Sequence, residues 1–272
     1  MKKRCAAFRS NQSAMLLAID AGNTSIHIGL FSDAVLLDRL KIPTRPLRTV
    51  PEYRDVIEAF LAKQSAEKPL RGVILSSVVT ELQGILNLTV KGLSAHEPWN
   101  VSVSLNTGLR FVVESPDELG ADRVANAVAA RDIFGEPVLV VDFGTATTLS
   151  VIKDDTFAGG AILPGIEPMA TSLHGNTSKL PLLDVNLLTD RHLPPAAVGK
   201  DTTKCIVSGI IYGTIGGVER LIAEMERELG CAFKVVLTGG NANLLSSFMR
   251  RDFFLEPDLT LHGLRLIFER NA

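Results

Sequence analysis

Two segments of the sequence place an aspartate, a glycine and small hydroxyl or amide residues at the end of an apolar run. The first, MLLAIDAGNTSIHIGLF at residues 15–31, carries Asp20, Gly22 and Thr24. A glycine lets backbone N–H groups approach an anion closely, and neighbouring hydroxyls add further donors. The carboxylate can hold a cation beside phosphate oxygens, directly or through water. Taken alone, such a segment is as compatible with an ordinary tight turn as with a phosphate site.

The second segment, VLVVDFGTATTLSVI at residues 138–152, repeats this design with Asp142, Gly144 and Thr145. The repeat is imperfect, because Thr24 follows its glycine by two residues and Thr145 follows its own directly. Each copy predicts two buried strands joined by a tight turn. The two copies lie almost half a chain length apart, which predicts two similar domains. Two such tips facing each other across a cleft would grip a nucleoside triphosphate, and the duplication favours this interpretation over two plain turns.

A helix is predicted over residues 114–134, ESPDELGADRVANAVAARDIF. Ser115 suits the N-cap, Pro116 the first helical position and Glu118 the far end of a capping box. These three residues are typical of a helix N-terminus, so they predict where the helix begins and indicate no catalytic role.

Three residues inside this segment indicate chemistry beyond helix formation. Gly120 is costly within a helix, so it points to close packing or close approach of a ligand. Asp122 can accept a proton from a substrate hydroxyl, and Arg123 can bind a carboxylate or a phosphate. Ordinary surface charges explain the same pair, and the spacing alone does not separate the two interpretations.

The remaining patterned segments predict an alternation of strands and helices. Residues 72–79 and 234–240 read as buried strands, the second running into Gly-Gly and a short helix. Residues 213–229 predict an amphipathic helix with a glycine-rich start, and residues 157–181 predict loops around a short helix that leave Thr177 exposed. The alternation predicts an α/β fold. The sequence contains neither a P-loop motif nor G-x-G-x-x-G, which disfavours those two nucleotide folds.

The composition narrows the class of protein. The 272 residues are 46% apolar and carry 28 basic against 30 acidic side chains, so a sizeable core is expected and a nucleic-acid surface is not. Three scattered cysteines and five histidines without ligand spacing disfavour disulfides and zinc and favour a reducing compartment. The apolar run at residues 205–218 is too short to span a bilayer. Residues 1–14 are expected to form a loose extension.

Eight short motifs in order make the chain similar to a known family. They are DAGNT at Asp20, SSVV at Ser76, LGADR at Leu119, DFGTATT at Asp142, GGAILPG at Gly159, NTSKLP at Asn176, TGGNA at Thr238 and PDLTLHGL at Pro257. The chain resembles the type III pantothenate kinases, a branch of the sugar kinase, heat-shock ATPase and actin superfold. The resemblance covers residues 16–264, almost the whole chain.

The resemblance implies a fold, an activity and a set of ligands. The fold is α/β, with two ribonuclease H-like domains of duplicated topology, at residues 15–133 and 134–272, and a nucleotide cleft between them. The activity is ATP-dependent phosphorylation of pantothenate to 4'-phosphopantothenate, the first step of coenzyme A biosynthesis. The implied cofactors are Mg²⁺ and a monovalent cation, K⁺ or NH₄⁺. A cytoplasmic homodimer that binds neither nucleic acid nor membrane is implied.

The resemblance also implies a role for each residue that matches a functional residue of the family. Asp122 matches the general base, and Asp142 matches a ligand of the monovalent cation. The residues that match the ATP site are Asp20, Ala21, Gly22, Asn23, Thr24, Ser25, Ile26, His27 and Thr145. Those that match the pantothenate site are Gly120, Ala121, Asp122, Arg123, Thr177 and, at a position where the family often has tyrosine, Val113.

Val113 marks a departure from the family pattern, because the tyrosine found there in many members contacts the substrate. This departure keeps open a kinase of the same superfold that acts on another small alcohol. A catalytically weak ATP-binding member with a regulatory role is a further alternative. The intact pair of Asp122 and Arg123 weighs against that last alternative.

Overall fold

The computed structural model describes residues 15–63, 70–184 and 195–272, so the expected extension at residues 1–14 lies outside the described residues. The described chain divides into two compact units, one up to Asn100 and one from Val101 onwards. The sequence placed the domain boundary after residue 133. By contacts the boundary comes earlier, because the helix Ala121–Phe134 packs against the C-terminal helix Leu259–Asn271 and is grouped with it.

The first unit consists of one five-stranded sheet and two helices. In chain order its elements are β1 (Met15–Ala21), β2 (Ser25–Ser32), β3 (Val35–Pro43), α1 (Val50–Ala62), β4 (Leu70–Ser77), α2 (Thr80–Val90) and β5 (Trp99–Asn100). The sheet order is β3-β2-β1-β4-β5. β1, β2 and β3 pair antiparallel, whereas β4 pairs parallel to both β1 and β5.

The core of the first unit lies on the face of the sheet that α1 and α2 cover. β1 and β2 alternate Leu17, Ile19, Ile26 and Ile28 towards this core, which also includes the buried Tyr53 of α1. The other residues of β1 point to the opposite face, as the twofold periodicity of a strand requires. Burial on both faces of β1 explains why its sequence is apolar almost throughout.

The second unit repeats the sheet of the first. Its elements are β6 (Arg110–Phe111), a 3₁₀ turn (Pro116–Glu118), α3 (Ala121–Phe134), β7 (Val138–Phe143), β8 (Ala146–Lys153), β9 (Thr156–Pro164), α4 (Ile166–Gly175), α5 (Thr202–Leu229), β10 (Lys234–Thr238), α6 (Ala242–Ser246), β11 (Phe254–Leu255) and α7 (Leu259–Asn271). The sheet order is β9-β8-β7-β10-β11, with β6 added beside β9. In both units three antiparallel strands are followed by two parallel ones, which confirms the duplicated α/β topology predicted from the sequence.

The helix α5 begins eleven residues earlier than the sequence analysis placed it, at Thr202 rather than residue 213. The Asp201 side chain accepts a hydrogen bond from the Lys204 N–H at 2.8 Å, which caps the helix start. Gly230 ends the helix in a left-handed conformation. α5 is long and apolar enough to cross a bilayer by length and composition, and its residues from Ile206 to Ile222 include eight that are buried.

Two further expectations about local structure were wrong. Residues 114–134 do not form one helix: a 3₁₀ turn precedes α3, Ser115 makes no side-chain cap and Gly120 is the N-cap of α3. Residues 157–164 form part of β9 rather than a loop. The antiparallel pairing of β9 with β8 overrides the weak strand propensity of Gly159 and Gly160.

Candidate active site

The first tip, the turn from β1 to β2, is held by hydrogen bonds within its own unit. The Gly22 N–H donates to the Ser25 carbonyl at 3.0 Å, and the buried Thr44 hydroxyl donates to the Gly22 carbonyl at 2.7 Å. The Thr44 N–H donates to the Thr24 carbonyl at 3.0 Å. Asn23 and Thr24 are exposed at the tip. Thr44 therefore fixes a turn whose small polar residues face outwards.

The rest of residues 20–27 belongs to the strands that carry the first tip. Asp20 lies opposite His27 on β2 and beside Ser76 on β4. The His27 ring nitrogen Nε2 is 2.9 Å from the Ser25 hydroxyl. Ala21 and Ile26, which pair with each other, are buried in the core. The side chains of Ala21 and Ile26 therefore pack in the core between the polar residues of this segment.

The second tip, the turn from β7 to β8, repeats the two backbone hydrogen bonds of the first. The Gly144 N–H donates to the Ala146 carbonyl at 3.1 Å, and the Gly165 N–H donates to the Thr145 carbonyl at 3.0 Å. The Thr145 side chain is exposed. The second turn is one residue shorter than the first, which matches its shorter spacing from glycine to threonine.

Asp122 lies in the first turn of α3, two residues after the N-cap Gly120. Its Oδ1 accepts a hydrogen bond from the Arg123 N–H at 2.7 Å. Burial raises the pKa of the Asp122 carboxyl above its ordinary value, while the N–H of Arg123 and the nearby guanidinium oppose this rise. The result is a carboxylate that is a stronger base than a solvated aspartate.

The Arg123 side chain is fixed against the sheet of its own unit. Its Nε donates to the Ser150 hydroxyl at 3.1 Å, and its Nη2 donates to the Leu149 carbonyl at 3.2 Å. The guanidinium carbon lies 5.4 Å from the centre of the Phe157 ring, a cation–π distance. Burial lowers the pKa of Arg123 below its ordinary value, and an arginine remains charged under these conditions. Arg123 therefore offers a fixed positive charge to an anionic group.

A pocket of about 340 Å³ opens beside this guanidinium. The lining residues on which the site depends are Val113, Arg123, Phe157, Gly159, Gly160 and Ile162. A Cβ at Gly160 would lie 1.7 Å from the Leu149 carbonyl oxygen and 3.2 Å from Arg123 Nη2. Only glycine permits this approach of β9 to β8 and Arg123. The pocket combines apolar walls with the charged side chains of Arg123 and Glu118, and its volume suits a small organic molecule.

Asp142 lies at the end of β7 and is linked to α3 and α7. Its Oδ2 accepts a hydrogen bond from Asn126 Nδ2 at 2.9 Å, and Asn126 Oδ1 accepts one from the Thr260 hydroxyl at 2.7 Å. Burial, together with the negative charge of Asp122, raises the pKa of Asp142 to about 7. A carboxylate in this position is stabilised by a bound cation. The described residues contain no cluster of three or more His, Cys, Asp or Glu side chains that could hold a metal ion.

The structure brings some of the predicted site residues together and leaves others apart. Val113 and Arg123 line one pocket, and Asp122 is near enough to Asp142 to affect its pKa. Thr177 is not among the residues that line this pocket; it is exposed just after α4, where its hydroxyl donates to the Leu173 carbonyl at 2.8 Å.

Four supporting residues were missed by the sequence analysis: Thr44, Asn126, Ser150 and Thr260. Asn126 could have been found, because it lies one helical turn after Asp122 and so shares its face. Thr260 falls within the PDLTLHGL motif, which had been assigned no role. Thr44 and Ser150 carry no local signal, since their contacts depend on strand register.

Comparison with known proteins identifies relatives along most of the chain. The sequence profile of the type III pantothenate kinases matches residues 16–224. A type III pantothenate kinase of Moorella thermoacetica is 38% identical over 260 residues, covering 95% of this chain and all of the relative. Among solved structures, a Baf-family protein of Campylobacter jejuni has a TM-score of 0.58 at 20% identity, with 93% and 97% of the two chains covered.

A third comparison extends the likeness of fold beyond this family. The Clostridium difficile activator of 2-hydroxyisocaproyl-CoA dehydratase, solved with bound ADPNP, has a TM-score of 0.56 at 11% identity and covers 94% of this chain and 95% of its own. At this identity the likeness concerns the fold alone.

Proposed function

The chain belongs to the type III pantothenate kinase family, and we propose how its own residues carry out the ATP-dependent phosphorylation of pantothenate that begins coenzyme A biosynthesis. The observation that carries the proposal is the start of α3. There, Asp122 has a raised pKa, and the adjacent Arg123 lines a pocket sized for a small organic molecule. Phosphoryl transfer depends mainly on positioning and on charge stabilisation, and this arrangement supplies a base and an anchor.

In this proposal Asp122 is the general base. It orients the primary hydroxyl of pantothenate and accepts its proton as that oxygen attacks the γ-phosphorus of ATP. Its raised pKa supports the role, because a base is most effective when its pKa lies near the working pH.

Arg123 and the pocket beside it hold the pantothenate. The fixed guanidinium pairs with the substrate carboxylate, and Gly120 and Ala121 leave room for the substrate chain at the helix start. Val113, which replaces a tyrosine found in many members, contributes an apolar wall instead of a hydroxyl. Without the tyrosine hydroxyl, the affinity for pantothenate depends more strongly on Arg123 than it does in members that have the tyrosine.

The residues proposed to bind ATP are Asp20, Ala21, Gly22, Asn23, Thr24, Ser25, Ile26, His27 and Thr145. Backbone N–H groups and hydroxyls at the tips donate to phosphate oxygens. Asp20 would hold the Mg²⁺ that a kinase needs with ATP. Asp142 would hold the monovalent cation, K⁺ or NH₄⁺, and the raised pKa of its carboxyl fits a group that gains from a neighbouring positive charge. When bound, that cation would offset negative charge near the phosphates.

The proposal includes a cytoplasmic homodimer. Gly209, Gly213 and Gly216 are exposed along α5, and a Cβ added at any of them would meet nothing within 4 Å. Such a surface permits close approach of a second backbone. Thr177 is exposed as well, so a dimer could bring it to a substrate site. The scattered cysteines agree with a reducing compartment.

A coupled assay of ADP formation tests the proposal. Purified protein is given Mg-ATP, K⁺ and one alcohol at a time: pantothenate, pantetheine, or small alcohols without a carboxylate. We expect turnover with pantothenate and a large loss for alcohols that lack a carboxylate to pair with Arg123. Equal turnover with the uncharged alcohols would contradict the assigned role of Arg123, and turnover with a different acid alone would contradict the substrate.

A further inference from the structure

Three polar side chains from three elements form a continuous hydrogen-bonded series in the second unit. The Thr260 hydroxyl on α7 donates to Asn126 Oδ1 on α3 at 2.7 Å. Asn126 Nδ2 donates to Asp142 Oδ2 at the end of β7 at 2.9 Å. None of the roles assigned above involves Asn126 or Thr260.

The approach of α7 to α3 depends on a glycine. A Cβ at Gly263 would lie 2.0 Å from the Ala125 carbonyl oxygen, so the two helices can cross this closely only without a side chain there. Gly263 is on the turn that follows Thr260, and Ala125 precedes Asn126. The close crossing therefore brings the Thr260 hydroxyl within reach of the Asn126 amide.

The Asn126 amide has both of its polar atoms satisfied in this series. Asn126 is only 2% exposed, and a buried amide strongly prefers to have its hydrogen bonds satisfied. An ionised Asp142 carboxylate only accepts hydrogen bonds, so it requires the NH₂ group to face it, and Asn126 Oδ1 then faces α7. The Thr260 hydroxyl donates to that oxygen and so holds the amide in place against Asp142.

We propose that Asn126 and Thr260 are positioning residues that fix the carboxylate of Asp142 for the monovalent cation. The proposal rests on the cation role of Asp142 in the proposed function. Asn126 engages one oxygen, Oδ2, and orients the carboxylate. The other oxygen, Oδ1, lies against Gly239, where a Cβ would come within 2.3 Å of it. The carboxylate is therefore held at Oδ2 by Asn126, while Oδ1 packs against the glycine backbone.

The experiment compares Thr260→Val, which keeps the shape of the side chain and removes its hydroxyl, with Thr260→Ser, which keeps the hydroxyl. Two quantities are measured for each: the K⁺ concentration that gives half-maximal activity, and the rise in Tm with KCl relative to choline chloride, without substrates. For Thr260→Val we expect the K⁺ concentration at the midpoint of each response to rise about tenfold, because the variant loses a hydrogen bond that helps to order a charged group. Thr260→Ser should remain within about twofold of wild type.

Asn126→Asp and Thr214→Val complete the set. Asn126→Asp places a second carboxylate beside Asp142 and should abolish the K⁺-specific rise in Tm. Thr214 is a buried threonine of α5 whose hydroxyl contacts Met169 Sδ at 3.9 Å. Its valine variant controls for the loss of any buried hydroxyl and should keep the wild-type K⁺ response. The two Thr260 variants decide the question if Asn126→Asp does not fold.

The outcomes separate this inference from the function it rests on. A wild-type protein indifferent to K⁺ in both measurements overturns the cation role of Asp142 and this inference with it, while pantothenate turnover stands. If the wild-type protein responds to K⁺ and Thr260→Val has the same K⁺ response, this inference is wrong and the cation role of Asp142 stands. A Thr260→Val variant that loses stability or pantothenate affinity equally at every K⁺ concentration shows a structural role and also overturns it.

Discussion

At the scale of single residues, burial gives the two aspartates of the second unit different chemistry. Asp122 lies in the first turn of α3, where the positive end of the helix favours its anion, and burial raises its pKa nonetheless. Asp142 at the end of β7 is subject to the negative charge of Asp122, which adds to the effect of burial and raises its pKa to about 7. We propose that the first carboxylate accepts the substrate proton and that the second holds the monovalent cation.

The role of Asp122 as a base is tested by Asp122→Asn. The variant keeps the shape of the side chain and cannot accept the proton, so we expect kcat to fall by roughly 10²–10⁴. Binding of a non-hydrolysable ATP analogue, measured by calorimetry, should change little. Asp117→Asn removes an exposed carboxylate from the turn just before α3 and serves as the control. A kcat within about threefold of wild type would assign Asp122 to structure.

The raised pKa of Asp122 makes a prediction about pH. The base must be ionised to act, so kcat should fall as the pH drops through the pKa of Asp122. Because burial raises that pKa above 3.8, this fall should begin at a higher pH than for a solvated aspartate. The measurement is kcat from about pH 4 to pH 9 at saturating substrates. If kcat instead begins to fall only near the pKa of an ordinary solvated aspartate, a group other than Asp122 controls the rate.

Asp20→Asn and Asp142→Asn should both lower activity, but the K⁺ dependence of the remaining activity should differ between the two variants. Asp20 is proposed to act through the magnesium-bound phosphates, so its loss should persist at every K⁺ concentration. Asp142 is proposed to act through the monovalent cation, so its loss should remove the stimulation by K⁺. Activity titrated with KCl at constant ionic strength measures both. Superimposable titrations for the two variants would refute this division of roles.

At the scale of elements, the close approach of β8 and β9 builds the pocket floor, and Gly160→Ala tests it. The new Cβ would meet the Leu149 carbonyl oxygen at 1.7 Å, and backbone cannot move aside as a side chain can. We expect a loss of stability of at least about 1–3 kcal/mol. Gly84→Ala in α2, where the Cβ meets nothing within 4 Å, should instead stabilise by up to about 1 kcal/mol.

Urea denaturation of the two glycine variants measures both changes. The comparison separates the clash at Gly160 from the general effect of replacing glycine with alanine. A Gly160→Ala protein as stable as wild type would mean that β9 can move away from β8, and the pocket would then lack a fixed floor.

The elements that the sequence predicted best were those with local signals. The hairpins β1–β2 and β7–β8 and the strand β10 were found from apolar runs that lead into glycine, and β4 was found from its apolar run alone. The start of α3 was placed wrongly, because the capping pattern at Ser115 and Glu118 closes only a 3₁₀ turn. β9 was mistaken for a loop, because its strand pairing is a tertiary contact that Gly159 and Gly160 do not reveal.

At the scale of the whole molecule, the duplicated motif predicted the duplicated sheet. Both sheets follow the order of three antiparallel strands and then two parallel ones, and each tip follows the first strand of its sheet. The sequence could not show the contact between α7 and α3, which joins residues far apart in the chain through Gly263 and Ala125. For that reason the sequence singled out Asp122 and Arg123 but did not reveal Thr260, whose partner on α3 is set by tertiary packing.

The last prediction concerns assembly. Gly209, Gly213 and Gly216 leave an exposed, small-residue face on α5, and Thr177 is exposed just after α4. Since most soluble oligomers have twofold symmetry, we expect a homodimer through α5. Gly213→Arg should then favour monomers by placing a bulky charge on that face. A variant at another exposed glycine, Gly84→Arg on α2, tests whether any added charge has the same effect.

If Thr177 helps to bind pantothenate across a dimer, the monomeric variant should have a raised KM for pantothenate and a nearly unchanged KM for ATP. Sedimentation velocity establishes the association state of each variant at the concentration used in the assay. Diluting the wild-type protein until it dissociates should reproduce the same selective rise, because both changes remove the partner's contribution. A wild-type monomer with full activity at working concentration would refute the assembly and leave Thr177 without a role in any shared site.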